Sequence, residues 1–221
     1  MVGVHFFISL DLAHSVSETG LIVLINAIGQ RVLQSPVCTA LNVQVVDHDG
    51  LIHGSLVGMI GKYSTFCINK GSRGVAVLSS LIPIRVKKCE DREATILVTN
   101  YKQYNLKSVY RPPDYHNLEE FTNDILNCLD FSKSVIICGD FNYDLLKQPR
   151  NQFSTRLKTI GLQQIVTDST HIKGGLLDNV YFYSPNSMTC KLFKIHPVYY
   201  SDHDAVTFIL HLKDESSGSQ D

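Results

Sequence analysis

The sequence holds no tryptophan among its 221 residues, no excess of charge and no C-x-x-C pair. Its formal charge is −1, from 20 basic and 21 acidic side chains. A chain so balanced sets up no global basic field, so nucleic-acid contact must use a local patch. The six cysteines, Cys38, Cys67, Cys89, Cys128, Cys138 and Cys190, are scattered. Their spacing argues against a zinc site and a disulfide framework, and for reduced thiols. No apolar run is long enough to span a membrane. Met1–Leu10 lacks the basic flank and long apolar segment of a signal peptide. The expectation is a protein of the nucleus or cytoplasm, not secreted and without a membrane partner. There is no internal repeat. Gly50, Gly54, Gly58 and Gly61 lack the Gly-Lys-Ser/Thr ending of a phosphate-binding loop.

What is present is enough apolar material for a substantial core, 44% hydrophobic against 19% charged. The length fits one large domain. The expected organisation is a single domain over 1–212, with 1–70 diverged, and a disordered polar tail over 213–221.

The most informative stretch is Ser-Val-Ile-Ile-Cys-Gly-Asp-Phe-Asn, residues 134–142. Val135–Cys138 is a short, continuous, β-branched apolar run, which reads as a buried strand. Its end delivers Asp140 and Asn142 to a rim, two apart and so on one side of an extended chain. An Asx turn explains the same pair on local grounds; the rest of the chain shifts the balance. Val2–Leu10 reads as a strand, with His5 at the edge of a core. Leu21–Ile28 is ambiguous between strand and buried helix. Asp47-His48-Asp49 before Gly50 reads as a turn more readily than as a metal cluster.

Gly74–Leu81, Ala94–Asn100 and Leu106–Tyr110 read as successive strands of a meander. Arg73, Arg85, Lys87, Lys88, Lys102 and Lys107 are the candidates for a basic surface. Pro112-Pro113 stops the third strand and holds Tyr110 at its end. Asn117–Asp130 reads as a helix, with Asn117 as N-cap and Glu120 as its partner. Leu118, Phe121, Ile125 and Leu129 form its apolar stripe. Gln152–Ile160 is a second helix. Leu176–Tyr183 and Ala205–Leu212 are strands. Asp178 lies inside an apolar strand, where a carboxylate needs a partner. Asp202 and His203 lie just ahead of the last strand, and a histidine with a carboxylate is a general acid–base unit.

Glu18, Tyr110, Asp140, Asn142, Asp178, Asp202 and His203 thus form a set of hard oxygen donors with one imidazole and no thiolate. Such a set suits Mg²⁺ or Mn²⁺ better than zinc. The reaction class is metal-assisted phosphoester hydrolysis.

Gly-Asp-Phe-Asn at 139–142, Leu-Asp-Asn-Val at 177–180 and Ser-Asp-His-Asp at 201–204 resemble, in order, the motifs of the endonuclease/exonuclease/phosphatase superfamily. Val-Tyr-Arg-Pro-Pro at 109–113 and Ser-Glu-Thr at 17–19 add two more. The Tyr-Arg-Pro-Pro form and the Thr-His ahead of Leu-Asp are similar to the endonuclease domains of LINE-type (non-LTR) retrotransposons. The resemblance covers about 71–212. It implies a four-layer α/β sandwich with two packed, mostly antiparallel β-sheets, DNase I-like. It implies that Glu18 binds the metal and that Asp202 lies at or near it. Asp140 would activate water, and Asn142 and Tyr110 would contact the phosphate. His203, steered by Asp178, would contact the scissile phosphate or shuttle a proton. The implied partner is DNA or another phosphodiester, and the implied activity is a Mg²⁺-dependent endonuclease that nicks one strand.

The chain departs from the family at its start. The family's first strand carries an asparagine, but here Leu41-Asn42-Val43 follows Glu18, and Gly20 stands where retroelement enzymes commonly carry tryptophan. The alternatives are an impaired remnant of a longer element protein that binds nucleic acid or a partner, and a phosphatase or RNA exonuclease of the same fold.

Overall fold

The computed structural model describes residues 6–12, 21–26, 44–46, 52–55, 64–70, 73–79, 83–90, 94–127, 129–185, 188–197 and 202–211. His5, Glu18, Asn42, the turn at 47–49 and the tail 213–221 lie outside the described residues.

Fourteen strands and two helices are described. The strands up to the first helix are β1 (Phe6–Leu12), β2 (Leu21–Asn26), β3 (Gln44–Val46), β4 (Ile52–Ser55), β5 (Ser64–Lys70), β6 (Arg73–Ser79), β7 (Arg85–Glu90), β8 (Thr95–Asn100) and β9 (Tyr104–Tyr110). Then come α1 (Leu118–Leu126), β10 (Ser134–Asp140), α2 (Gln152–Thr159), β11 (Gln163–Gln164), β12 (Asp178–Tyr183), β13 (Thr189–His196) and β14 (Ala205–His211). One six-stranded sheet has the order β13-β14-β1-β2-β6-β5, and a second has β11-β12-β10-β9-β8-β7. Within them only β1/β14 and β9/β10 pair in parallel, among the described strands. The sheets face each other, with β6 against β8 and β9 and with β1 and β2 against β10. This is the expected sandwich of two packed, mostly antiparallel sheets.

β10 is buried along its whole length. It lies between β9 and β12, so an unbroken apolar run is what its environment requires. The face carrying Asp140 looks toward the first sheet. The opposite face carries the helices, through a cluster of Phe121, Phe141, Phe153 and Tyr181 with ring centroids 5.3 to 6.4 Å apart. Gly139 has φ +145°, and a Cβ there would overlap the Val109 carbonyl, so only glycine lets β9 and β10 close at this point.

The strand at Leu21–Asn26 resolves the ambiguity of that apolar run. The expected meander does not form: β6 belongs to the first sheet, and β7, not anticipated, leads the antiparallel run β7-β8-β9. Among the described strands β7 pairs only with β8, and Arg85 and Lys87 are exposed on it. A charged edge strand lacks the apolar run that identifies a central one. Lys107 is no part of a basic surface, because it is fully buried and its Nζ donates to the Ile125 carbonyl in the last turn of α1.

Asn117 caps α1 as expected, its Oδ1 accepting from the Glu120 N–H at 3.1 Å. Glu120 is held in return by the Asn117 side-chain amide at 2.8 Å, instead of by the backbone. The helix stops at Leu126, short of Asp130, whose carboxylate closes a turn with Ser132 N–H at 3.0 Å. No helix is long and apolar enough to cross a membrane, among the described residues. Cys138 and Cys190 are free thiols.

Candidate active site

Strand register builds the site. Tyr110 on β9 pairs with Asp140 on β10, and Asp140 pairs with Asp178 on β12. Directly paired residues point to one face, so the three form a row across the second sheet on the side facing the first. Phe141, next in the chain, points the other way into the aromatic cluster and anchors the strand end.

His203, one residue into the segment leading to β14, completes the row from the opposite sheet. Its Nδ1 lies 2.7 Å from Asp178 Oδ2, and the two side chains are 1% and 0% exposed. Donor atoms of Asp140, Asp178 and His203 all lie within 4.8 Å of one another. Sequence placed Asp140 at a rim; the structure buries it, at 0%, together with His203. Burial explains the pairing, since a dry imidazole and carboxylate each need the other.

Asn142 reaches Asp140 by a route other than extended chain. Its φ is +44°, a left-handed conformation that asparagine tolerates better than most residues. The chain therefore curls back. Asp140 Oδ1 accepts the Asn142 N–H at 2.8 Å, and Asp140 Oδ2 accepts Asn142 Nδ2 at 2.9 Å. The same Nδ2 donates to the Arg111 carbonyl at 2.8 Å. Both amide hydrogens are thus used, which leaves Oδ1 as the atom Asn142 offers. With both hydrogens engaged, Oδ1 can meet a water or a cation but cannot donate to a phosphate oxygen.

The electrostatics follow from burial. Desolvation, reinforced by the neighbouring Asp178, pushes Asp140 up to about 8, against the opposing pull of His203, the Asn142 N–H and Arg111. Asp178 is also raised, first by burial and then by Asp204 and Asp202, with the Thr170 hydroxyl acting in the opposite direction. Asp178 Oδ1 is buried with no hydrogen-bond partner among the described residues. Two buried carboxyls stand together here, and one carries an oxygen with no hydrogen-bond partner among the described residues, a pairing whose charge a cation would balance. The donors are hard oxygens with one imidazole, a set that suits a divalent cation.

Asp202 is not part of the buried group. It is half exposed, with its Oδ2 3.4 Å from His171 Nε2. His171 stands edge-to-face on His203 with ring centroids 4.8 Å apart. His171 Nδ1 accepts the Lys173 N–H at 3.1 Å, so the hydrogen sits on Nε2, toward Asp202. His171, Asp202 and His203 are close enough to share an ion, but that tautomer presents a donor there and no lone pair.

Three residues escaped sequence reasoning: Arg111, Thr170 and His171. Arg111 is buried at 5% and donates to the carbonyls of Phe141 at 2.6 Å, Asn142 at 2.7 Å and Tyr115. Thr170 Oγ1 accepts the N–H groups of Leu177 at 3.2 Å and Asp178 at 3.0 Å, fixing the start of β12. Thr170-His171 was visible as a pair before Gly174-Gly175, and Arg111 as the neighbour of Tyr110, but neither carried a role.

A family described as "Endonuclease/Exonuclease/phosphatase family" matches residues 28–203. No curated protein sequence matches the chain. Among solved structures, the 3′ phosphatase NExo from Neisseria bound to product DNA hairpin is 14% identical, with a TM-score of 0.52 over 91% of this chain and 97% of that one. An AP endonuclease from Archaeoglobus fulgidus is 16% identical, with a TM-score of 0.50 over 65% and 77%. The endonuclease domain of TRAS1, a telomere-specific non-LTR retrotransposon, is 12% identical, with a TM-score of 0.44 over 66% and 76%. For the first two, at these identities, the likeness is one of fold.

Proposed function

The chain belongs to the endonuclease/exonuclease/phosphatase family, and from that premise we propose that it is a Mg²⁺- or Mn²⁺-dependent phosphodiesterase that nicks one strand of DNA. Members of the family are typically metal-dependent phosphoesterases and nucleases. The Tyr-Arg-Pro-Pro stretch and the Thr-His ahead of Leu-Asp support a retroelement descent.

The observation that carries the reading is the buried His203–Asp178 pair, 2.7 Å apart, beside Asp140. Asp178 faces His203 Nδ1 and so orients the ring, and Nε2 is the nitrogen proposed to meet the phosphate or leaving-group oxygen. Asp140 in its ionised form accepts a proton from the attacking water. Asn142 Oδ1 gives that water a second acceptor, while the Asn142 N–H groups hold the Asp140 carboxylate in place. Tyr110, in the same row, offers a phenol to a phosphate oxygen. Asp140 and Asp178 would hold a divalent cation, with Glu18 as a further proposed ligand, and the cation would supply positive charge against the phosphoryl oxygens.

The test is a substrate panel with Mg²⁺ and with chelator. It comprises supercoiled plasmid, an oligonucleotide with a 3′ phosphate, and single-stranded RNA. The reading expects open-circle plasmid with Mg²⁺ and none with chelator. Phosphate release alone indicates a phosphatase, RNA degradation alone an RNA exonuclease, and no reaction from folded protein a binding remnant.

A further inference from the structure

We infer that Arg111 is a positioning residue for the proposed hydrolysis, holding the turn that carries Asn142, and is not a ligand for substrate phosphate. The inference rests on the phosphodiesterase reading of the site. An arginine beside a site tyrosine invites assignment to phosphate, because its planar fork matches phosphate oxygens. Here the fork is turned inward. Nε, Nη1 and Nη2 each donate to a backbone carbonyl, those of Phe141, Tyr115 and Asn142. Two of the three acceptors belong to the turn that follows β10.

That turn needs a hold from outside itself. Asn142 sits at φ +44°, a left-handed conformation that L-residues rarely adopt. The connection is also reciprocal. Asn142 Nδ2 donates to the Arg111 carbonyl, and the Arg111 N–H donates to the Asp140 carbonyl at 2.9 Å. Arg111 and the Asp140–Asn142 segment therefore close one network, whose outputs toward the site are the Asp140 carboxylate and Asn142 Oδ1. Because Nδ2 lies between two oxygen acceptors, the Asn142 amide cannot flip while the network is intact. Lysine would keep the charge but not the fork, since one ammonium cannot reach three carbonyls arranged around a plane.

The experiment compares wild type, Arg111→Lys, Asn142→Ala and the double variant in plasmid nicking with Mg²⁺. It also follows solvent exchange of the Asn142 side-chain amide by NMR, with circular dichroism to confirm folding. Arg111→Lys is expected to lower kcat about 10²-fold with KM nearly unchanged. In the Asn142→Ala background the same change should add less than about threefold, because residues acting through one another are not additive. A KM raised about tenfold or more with kcat retained would overturn the inference and make Arg111 a phosphate ligand. Should wild type not nick, the hydrolysis reading fails on its own and exchange decides about Arg111. Slow exchange in wild type and fast exchange in folded Arg111→Lys are expected. Slow exchange in both, or fast exchange in wild type, overturns the inference. Arg111→Gln, with the same readouts, stands in if the lysine variant does not fold.

Discussion

Two histidine–aspartate pairs stand side by side at this site, and they differ in almost every physical respect. His203 meets Asp178 at 2.7 Å with both side chains out of solvent. His171 lies 3.4 Å from Asp202, whose side chain is 52% exposed. Asp178 lies on Nδ1 of His203, whereas Lys173 N–H lies on Nδ1 of His171, so the two rings offer opposite nitrogens to their aspartates. His171 is itself only 11% exposed, so this more exposed pair is half in solvent and contributes about 1 kcal/mol. Removing one member of a buried pair costs about 3–5 kcal/mol, because the remaining charge is stranded. The same two residue types thus make a fixed acid–base unit in one place and a surface contact in the other. The difference is burial at the end of the row Tyr110, Asp140, Asp178.

The contrast between the two pairs makes graded predictions. The largest effect is expected from Asp178→Asn, which keeps the shape but removes the carboxylate that orients His203. Nicking should fall about 10²- to 10⁴-fold, and plasmid assays with the folded variant would show it. Activity near that of wild type would reduce the buried pair to a structural role.

A second, intermediate effect concerns pH. Burial lifts Asp140 to about 8, well above its value in unfolded chain. A group whose folded value is raised binds its proton more tightly in the native state. Its stabilisation is therefore complete at low pH and is lost as pH rises through about 8. Metal-free protein in chelator should melt at progressively lower temperature between about pH 5 and about pH 8. Asp140→Asn should weaken that dependence, with buried Asp178 carrying the remainder, and a wild-type curve already flat over this range would show that Asp140 is not desolvated.

The smallest effect belongs to the exposed pair. His171→Phe keeps a ring against His203 and loses the contact with Asp202. Nicking should change less than about fivefold, the equivalent of a surface ion pair. A loss as large as that from Asp178→Asn would erase the distinction between the pairs.

Much of this site could be read in the chain itself. Val135–Cys138 announced a buried strand, and Asp178 inside an apolar strand announced a partner, which His203 supplies. Asp140 and Asn142 were rightly placed together, but the contact comes from a left-handed curl and not from strand alternation. Periodicity carries no information about such a turn. Arg111 and Lys107 were illegible for a related reason. Composition treats a cation as surface, and only the fold shows that their donors meet backbone carbonyls. β7 was hidden because edge strands carry charge where central strands carry apolar residues. Glu18, expected at the metal, lies outside the described residues.

The most direct test of the buried pair as the reacting unit is the rate of plasmid nicking by His203→Asn beside wild type in Mg²⁺. The asparagine amide can still donate to Asp178, so the fold should hold and the melting temperature should stay close to that of wild type. A loss of about 10³-fold or more is the predicted result. A folded variant nicking within about tenfold of wild type would contradict the account.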